Sequence, residues 1–529
     1  MRKGGWSSEI IELPAEKGLK PEALGLIPAV IIATASVAPA YSLAVTLVFV
    51  VRAVGLQAPV VAVLAFVPML FTSIGYHQLN QADPDCGTTF TWAARAFRPG
   101  VGWAAGWAII AADVLVMVSL ARVAGQYGFL LFDARGIGSN PASGWVLLVG
   151  VLWIVVMTYI SYRGIEVAAN LQKVLLGIEV VMLFVLSVTA LVHVATGHAP
   201  AGYLTPGISW LDLGRIPTVS AFVRGIILMV FIYWGWDTAL VVNEETRNTR
   251  RTPGLAAILS TVILLLTYAL VIFSMQSFAG IKATGNGLGN LKNAGDVLSV
   301  QGAHVFGTSG AGLVLTHLLL LMVLSSAAAA TQTTILPAAR TTLSMAVYKA
   351  MPGVLAKVSP RYRTPAVSTV IMGAVSIIVY AAFNYAGNGS GVIGDAVVAI
   401  GLYIAFYYGL TGFTCAWSYR RLLLRSARNL WLQGILPVTG GLMLYFLGGW
   451  SLWLDYDVAA RSDYTMWTVP FIQWHIGGAF VIAAGAALTG LIVCLSCRFA
   501  SPPFFLGQTL TRAAPTLARH EGPPGPPGA

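Results

Sequence analysis

Three carboxylates stand where water should be scarce. Asp113, Glu179 and Asp237 all fall within apolar runs of the 529-residue chain. A charge at mid-bilayer costs about 2.5 to 3.5 kcal/mol on insertion scales, so each is a candidate for function. Asp237 ends the stretch Tyr233, Trp234, Gly235, Trp236, Asp237, where a glycine weakens a helix by roughly 1 kcal/mol relative to alanine. A second weak point is expected in residues 31–44, IIATASVAPAYSLA. Pro39 has no N–H and clashes with the carbonyl four residues back, which predicts an interruption at about Ala35. A broken helix bares N–H groups that suit a carboxylate and carbonyls that suit an ammonium. Phe231, Tyr233, Trp234 and Trp236 are placed to cover a bound solute by cation–π and stacking contacts, so the pattern fits an α-amino acid. The plainer alternative is that Pro39 only kinks its helix and the aromatics only pack or sit at an interface.

Glu179 lies roughly 18 Å into its run at about 1.5 Å per residue. Burial disfavours a charged carboxylate, so an acid at that depth suits a proton carrier; pairing with a nearby hydroxyl or with Arg122, or help with a bound cation, are the alternatives. Asp113 could pair with Arg122 or serve function. Asp237 is expected to orient the broken helix or to report pH. His317 reads as a hydrogen-bonded core histidine before a proton relay. Glu244 and Glu245, followed by Arg247, Arg250 and Arg251, suggest a solvated gate network. No nucleotide loop, zinc spacing or nucleophile elbow is found, so neither an enzyme nor a cofactor is expected.

The elements that must position these groups follow from composition. The chain is 57% hydrophobic and only 10% charged, against roughly 25% charged in a soluble domain. It reads as an all-α integral membrane protein. Twelve transmembrane helices are expected near residues 25–51, 58–79, 101–131, 144–162, 167–195, 219–242, 254–280, 308–336, 365–384, 392–418, 431–454 and 471–495. With both termini cytoplasmic, about 23 of the 31 Lys and Arg lie inside. The net charge of +11 then reports topology and contact with the lipid bilayer, not nucleic acid. No short apolar segment ending at a small-residue cleavage site opens the chain, so the first span is expected to stay in the protein. Cys494 and Cys497 form a C-x-x-C at the end of the last span, read as packing. Residues 1–24 are taken as a cytoplasmic tail, 25–195 and 219–418 as two five-helix repeats, 431–495 as two added helices, and 498–529 as a disordered cytoplasmic tail. Five is odd, so the repeats run inverted, and the first helix of each carries an interruption, where such transporters build their substrate site.

Four stretches are familiar. YWGWDTALVVNEETRNTRRTPG, residues 233–254, resembles the aromatic, glycine, acid and basic-loop pattern of the amino acid-polyamine-organocation superfamily of permeases. Residues 84–109, PDCGTTFTWAARAFRPGVGWAAGWAI, are similar to that family's loop into its third span. Residues 162–179 and 337–365 resemble its fourth-to-fifth connection and the Arg-containing loop after span eight. The resemblance implies a five-plus-five, LeuT-like core with discontinuous helices 1 and 6, plus two C-terminal helices. It also implies secondary transport of amino acids or amines across the inner or plasma membrane by alternating access, with proton symport or exchange. Carried over, the substrate-binding stretches fall on Thr34, Ala35, Ser36 and Val37 and on Phe231, Tyr233, Trp234, Gly235 and Trp236, with Phe231 closing over substrate. Glu179 stands where proton-coupled members keep a lysine, and Ser325 and Ser326 stand at the depth where sodium-coupled relatives bind sodium. Span one departs from the family in having Thr-Ala-Ser-Val-Ala-Pro instead of Gly-x-Gly. The alternatives are a polyamine or organic-cation antiporter, favoured if Asp113 lines the pocket, and a transport-inactive sensor or subunit.

Overall fold

The computed structural model describes residues 17–140, 143–294, 297–386, 390–456, 466–469 and 474–510. Lipid offers the backbone no hydrogen bonds, so apolar runs of this length must close their own as helices. In chain order these are α1 (Leu26–Val37), α2 (Pro39–Val54), α3 (Ala58–Ala82), α4 (Thr89–Ala96), α5 (Pro99–Leu130), α6 (Arg135–Gly138) and α7 (Gly144–Arg163). There follow α8 (Ile165–Ala195), α9 (Val219–Ile232), α10 (Thr238–Val241), α11 (Thr252–Ala279), α12 (Val297–Phe306) and α13 (Gly310–Val347). The last are α14 (Ala366–Ala386), α15 (Ser390–Tyr419), α16 (Ala427–Asn429), α17 (Leu436–Tyr456), α18 (Gly478–Ala500) and α19 (Pro502–Phe505).

Among the described residues, ten helical stretches are long and apolar enough to cross a membrane, by length and composition. The sequence reading counts twelve, and the difference sits in two places. Leu26–Ala82 is one run of 57 residues holding both the first and second expected spans, with a 3-10 turn at Gly55–Gln57 between them. The sixth is cut to the 14 residues of α9 because its helix gives way at Tyr233. A further departure from an all-helical chain is an antiparallel pair, β1 (Met466–Val469) and β2 (Trp474–Gly477), registered Met466 to Gly477. The expected tails are in part seated. Lys17, Leu19 and Leu24 are buried, α18 runs on to Ala500, and Phe504 of α19 is buried. Residues 1–16 and 511–529 lie outside the described residues.

Helices α5 and α15 are mostly buried and form the centre. Around them α7 and α18 turn apolar faces outward, with Trp145, Leu148, Leu152, Val155 and Val156 on one and Leu488, Leu491, Ile492 and Leu495 on the other all exposed. Faces so continuous suit acyl chains, since a soluble monomer rarely shows patches of this kind.

Both expected interruptions are present. α1 stops at Val37, Ala38 adopts the left-handed conformation at φ 48° and ψ 68°, and Pro39 opens α2. The break falls three residues beyond Ala35, the position expected. A proline at the first helical position gives up only an N–H that has no partner there anyway, so it starts a helix more readily than it kinks one. In the other half α9 ends at Ile232, residues 233–237 are irregular, and α10 begins at Thr238.

Gly235, at φ +120°, is the pivot of that irregular segment, and a Cβ built on it would lie 3.0 Å from the carbonyl carbon and oxygen of Ser36. The two breaks therefore touch through backbone. Gly235→Ala is expected to destabilise the protein by about 1–3 kcal/mol through backbone strain. The midpoint of thermal unfolding in detergent checks this, and an unchanged midpoint would mean that the contact with Ser36 is slack.

Candidate functional site

Ser36 in the last turn of α1 and Thr238 at the start of α10 share a hydrogen bond of 2.8 Å between their hydroxyls. Beside it lies a narrow cavity with free space for about one water molecule. Ser36, Trp234, Gly235, Asp237 and Thr238 come to it from the two breaks, Ile109 and Asp113 from α5, Thr334 and Pro337 from α13, and Tyr407 from α15. Of the stretches that the resemblance marks for substrate, Ser36, Trp234 and Gly235 line it. Thr34, Ala35 and Val37 are buried in α1 away from it. Phe231 joins the main apolar core and does not line the cavity. Tyr233 stands edge-on to Tyr268 with ring centroids 5.0 Å apart, and Trp236 lies 4.6 Å from Tyr408. At a break successive side chains no longer follow the helical repeat, so neighbours in sequence turn to different surroundings.

Asp237 is held by two tyrosines of α15. Its Oδ1 accepts from the Tyr408 hydroxyl at 2.8 Å and its Oδ2 from the Tyr407 hydroxyl at 3.2 Å. Tyr407 also accepts from Trp234 Nε1, and Tyr408 accepts from the Gly235 N–H at 3.5 Å. The irregular segment is thereby fastened to α15. Sequence reasoning missed this pair; its signal was two adjacent hydroxyl-bearing rings in the apolar run IAFYYGL, since a buried tyrosine hydroxyl needs a partner.

Asp113 is 1% exposed, and its Oδ2 has no hydrogen-bond partner. It turns to the cavity and not to Arg122, the pairing the sequence leaves open. Glu179, fully buried, does not line the cavity. Its Oε1 accepts from the Ala40 N–H at 2.7 Å and from the Ser326 hydroxyl at 2.8 Å, while Oε2 has no partner. Of the alternatives for Glu179, the geometry is that of pairing with a hydroxyl, joined to capping of a helix. The Tyr41 N–H in turn donates to Ser326 Oγ at 3.1 Å, and Ser325 donates back to the Met322 carbonyl at 2.8 Å. The amides freed at Pro39, expected to point into the cavity, are thus taken by the chain's own oxygens. A carboxylate at a helix N-terminus is stabilised by the helix dipole, which explains why Glu179 sits there.

A second polar cluster joins the chain before α1, the loop before α4, the turn after α10 and α13. Lys17 Nζ lies 2.9 Å from Asp85 Oδ1 and 2.6 Å from Glu244 Oε1. Asp85 also accepts from Tyr348 at 2.7 Å and from Ser344 at 2.9 Å, and Glu244 accepts from the Cys86 N–H at 2.9 Å. Beside them Arg340 pairs with Glu245 at 2.6 Å, both side chains buried. Glu244 and Glu245 do form a charge network, with other partners than expected: Lys17 and Arg340 stand in place of Arg247, Arg250 and Arg251, and its core is buried rather than solvated. Asp85, Cys86 and Glu244 offer a set of ligand atoms close enough for a metal, but the Lys17 ammonium lies among them. Burial pushes the Asp85 carboxyl up, and the charge and hydrogen bond of Lys17 outweigh that and hold it at about 2. For Lys17 itself, burial works against the ammonium, and Asp85, Cys86 and Glu244 overcome it and raise its pKa. His317, half-buried, faces the Leu313 carbonyl at 2.9 Å and Asp133 at 3.4 Å.

Known proteins are similar to the chain over most of its length. Residues 24–476 match the family described as amino acid permease. A low-affinity putrescine importer of Escherichia coli is 24% identical over 432 residues, 77% of this chain and 83% of that protein. A branched-chain amino acid permease of Lactococcus lactis is 21% identical over 414 residues, 75% of this chain and 81% of that one. An uncharacterised transporter of Mycobacterium tuberculosis is 26% identical over 303 residues, 57% of this chain and 61% of its own length. Together with its apolar helices, the match over residues 24–476 identifies a multi-pass membrane protein that belongs to the amino acid permease family of the amino acid-polyamine-organocation superfamily.

Proposed function

We propose that the protein is a secondary transporter of the cytoplasmic membrane that moves amino acids or amines by alternating access. In this reading it has twelve spans in two inverted five-helix repeats plus two added helices, with both termini cytoplasmic. One observation carries it: two helix breaks meet through Ser36 and Thr238, 202 residues apart in sequence, beside a cavity lined by two carboxyls. Loose backbone inside a membrane is tolerated where it lines such a cavity. The relatives named for branched-chain amino acids and for putrescine support the solute class. Accumulation of a labelled amino acid or amine in liposomes holding the purified protein tests the reading. Uptake driven by an imposed proton gradient is expected; no flux of any amino acid or amine would favour the sensor instead.

Glu179 is the proposed coupling group. Its carboxylate ties α2 to α13 through Ala40 and Ser326, and adding a proton removes the charge that the α2 N-terminus stabilises. Glu179→Gln keeps an oxygen that can accept from both partners but does not titrate. The variant is expected to retain exchange of preloaded solute and to lose gradient-driven accumulation; accumulation at the wild-type rate would remove Glu179 from the coupling.

The Lys17 cluster is the proposed cytoplasmic closure. Asp85 has its folded pKa held below its ordinary value of 3.8, so the stability it gives is present above that value and is lost only as pH falls through about 2. The contact between Asp85 and Lys17 should therefore be insensitive to pH between about 5 and 8. Lys17→Met leaves Asp85 and Glu244 without their cation, a change of about 3–5 kcal/mol for a buried pair. Cys86, fully buried beside Lys17 at 3.4 Å, is a built-in reporter. In a background lacking Cys415, Cys494 and Cys497, maleimide labelling of Cys86 should be slow in the parent and faster in Lys17→Met, whereas equal rates would show that the cluster does not hold that end shut.

A further inference from the structure

We propose that the turn from Trp417 to Trp431 is a seat for anionic phospholipid, its arginines taking the headgroup phosphates of the surrounding leaflet. The proposal goes beyond the transport reading and does not depend on which solute is carried. Arg420, Arg421, Arg425 and Arg428 are the only charged residues between Asp395 and Asp455. All four are exposed. Among the described residues none of them pairs with an acid, whereas Lys20, Arg95 and Arg215 each do. The turn joins two helical stretches long and apolar enough to cross a membrane, Gly394–Tyr419 and Ala427–Tyr456, so it lies where hydrocarbon meets water. Cation clusters of this size just outside a membrane helix attract anionic headgroups.

Charge alone would describe any solvated loop, and three further features set this one apart. Leu424 is 89% exposed, and the Trp417 and Trp431 rings are half-exposed on either side of it. Tryptophan anchors at headgroup level, and an outward leucine there reaches the acyl boundary. The turn is also held still. The Tyr419 hydroxyl donates to the Gln78 carbonyl of α3 at 2.7 Å, and the Gln433 side chain donates to Gln78 Oε1 at 3.0 Å. Between these clamps the Asn429 side chain donates to the Leu422 carbonyl at 3.3 Å, and its N–H to Ser426 Oγ at 3.1 Å. A main chain fixed beforehand leaves less freedom to lose on binding. Finally, the Arg420 guanidinium lies 4.7 Å from the Trp417 ring centroid and donates through Nη1 to the Trp417 carbonyl at 2.7 Å. A guanidinium has five N–H donors, and those left over suit the paired oxygens of a phosphate. A free phosphate would use the arginines and leave Leu424 in water; a phospholipid meets both.

Dioleoyl phosphatidylglycerol and dioleoyl phosphatidylcholine share their acyl chains and differ in net charge. Each is titrated into the delipidated full-length protein in detergent, and bound lipid is counted by native mass spectrometry. The parent is expected to bind phosphatidylglycerol at least about tenfold more tightly, with a preference that shrinks as ionic strength rises from about 0.05 to 0.5 M. Arg420→Gln, Arg421→Gln, Arg425→Gln and Arg428→Gln together should bring the preference below about threefold. A charge-matched variant between α13 and α14, Lys349→Gln, Lys357→Gln, Arg361→Gln and Arg363→Gln, should keep it. The thermal midpoint checks folding; if the first quadruple variant does not fold, Arg421→Gln with Arg425→Gln takes its place and should cut the preference about threefold. Equal binding of the two lipids by the parent, a preference that ignores salt, or a loss as large in the charge-matched variant would overturn the proposal. Displacement of phosphatidylglycerol by millimolar inorganic phosphate would mean an anion site without a lipid and overturn it too. No arm reads transport, so each of these failures leaves the permease reading standing.

Discussion

A main chain that leaves its helix inside a membrane must find every hydrogen bond within the protein, and the rest of this structure is arranged around that demand. The break at Ala38 is met by Glu179, Ser326 and the Ser42 hydroxyl, which donates to the Val37 carbonyl at 2.7 Å. The break at Gly235 is met by Tyr408 on one side and on the other by Tyr268, whose hydroxyl donates to the Ile232 carbonyl. Each break is therefore pinned to helices that are not broken. This turns what would be two disordered hinges into two fixed walls, and the cavity between them is a consequence of that fixing.

Much of this was legible in the sequence, for physical reasons that can be named. Pro39 and Gly235 act on the backbone directly, so their types alone located both interruptions, to within three residues in the first case. Depth in an apolar run located Asp113, Glu179 and Asp237 as buried acids. Partners were harder. A helical repeat says which face a residue shares, but Trp234 sits where that repeat fails, and the break expected at about Ala35 hid that α1 stays helical through Val37 and turns Ser36 but not Thr34 or Val37 to the cavity. Tyr407 and Tyr408 were hidden because an aromatic ring in a membrane helix satisfies apolar packing and interface anchoring equally well. The Lys17 cluster joins residues 227 positions apart. No local pattern encodes such a pairing, and the nearer arginines 247, 250 and 251 were the natural but incorrect partners.

The distribution of charge divides the molecule's acids by task. Asp237 gives both oxygens to protein donors, and Glu179 gives Oε1 to two while Oε2 has none. Asp85 and Glu244 share one ammonium at the end of the bundle, where each carboxylate is offset by a cation within hydrogen-bond reach. Asp113 alone of these faces the cavity with an oxygen unsatisfied. This assignment rests on counting acceptors, and depth alone could not have made it.

The proposed site and the proposed closure are also mechanically close. Asp237 and Thr238 touch the cavity, and Glu244 grips Lys17; between them lie only the single turn of α10 and the short helical turn Asn243–Glu245. On the same segment the Glu245 carbonyl accepts from the Leu24 N–H at 3.0 Å, and the Arg247 N–H donates to the Leu24 carbonyl at 2.7 Å, so the strand entering α1 is carried with it. A rigid segment of this length cannot shift at one end without moving the other, because a turn of helix transmits displacement rather than absorbing it. The proposed site and the proposed closure thus share one stretch of backbone. In the proposed alternating access, that shared stretch is the route by which a solute site opening to one side at a time would sense its closure.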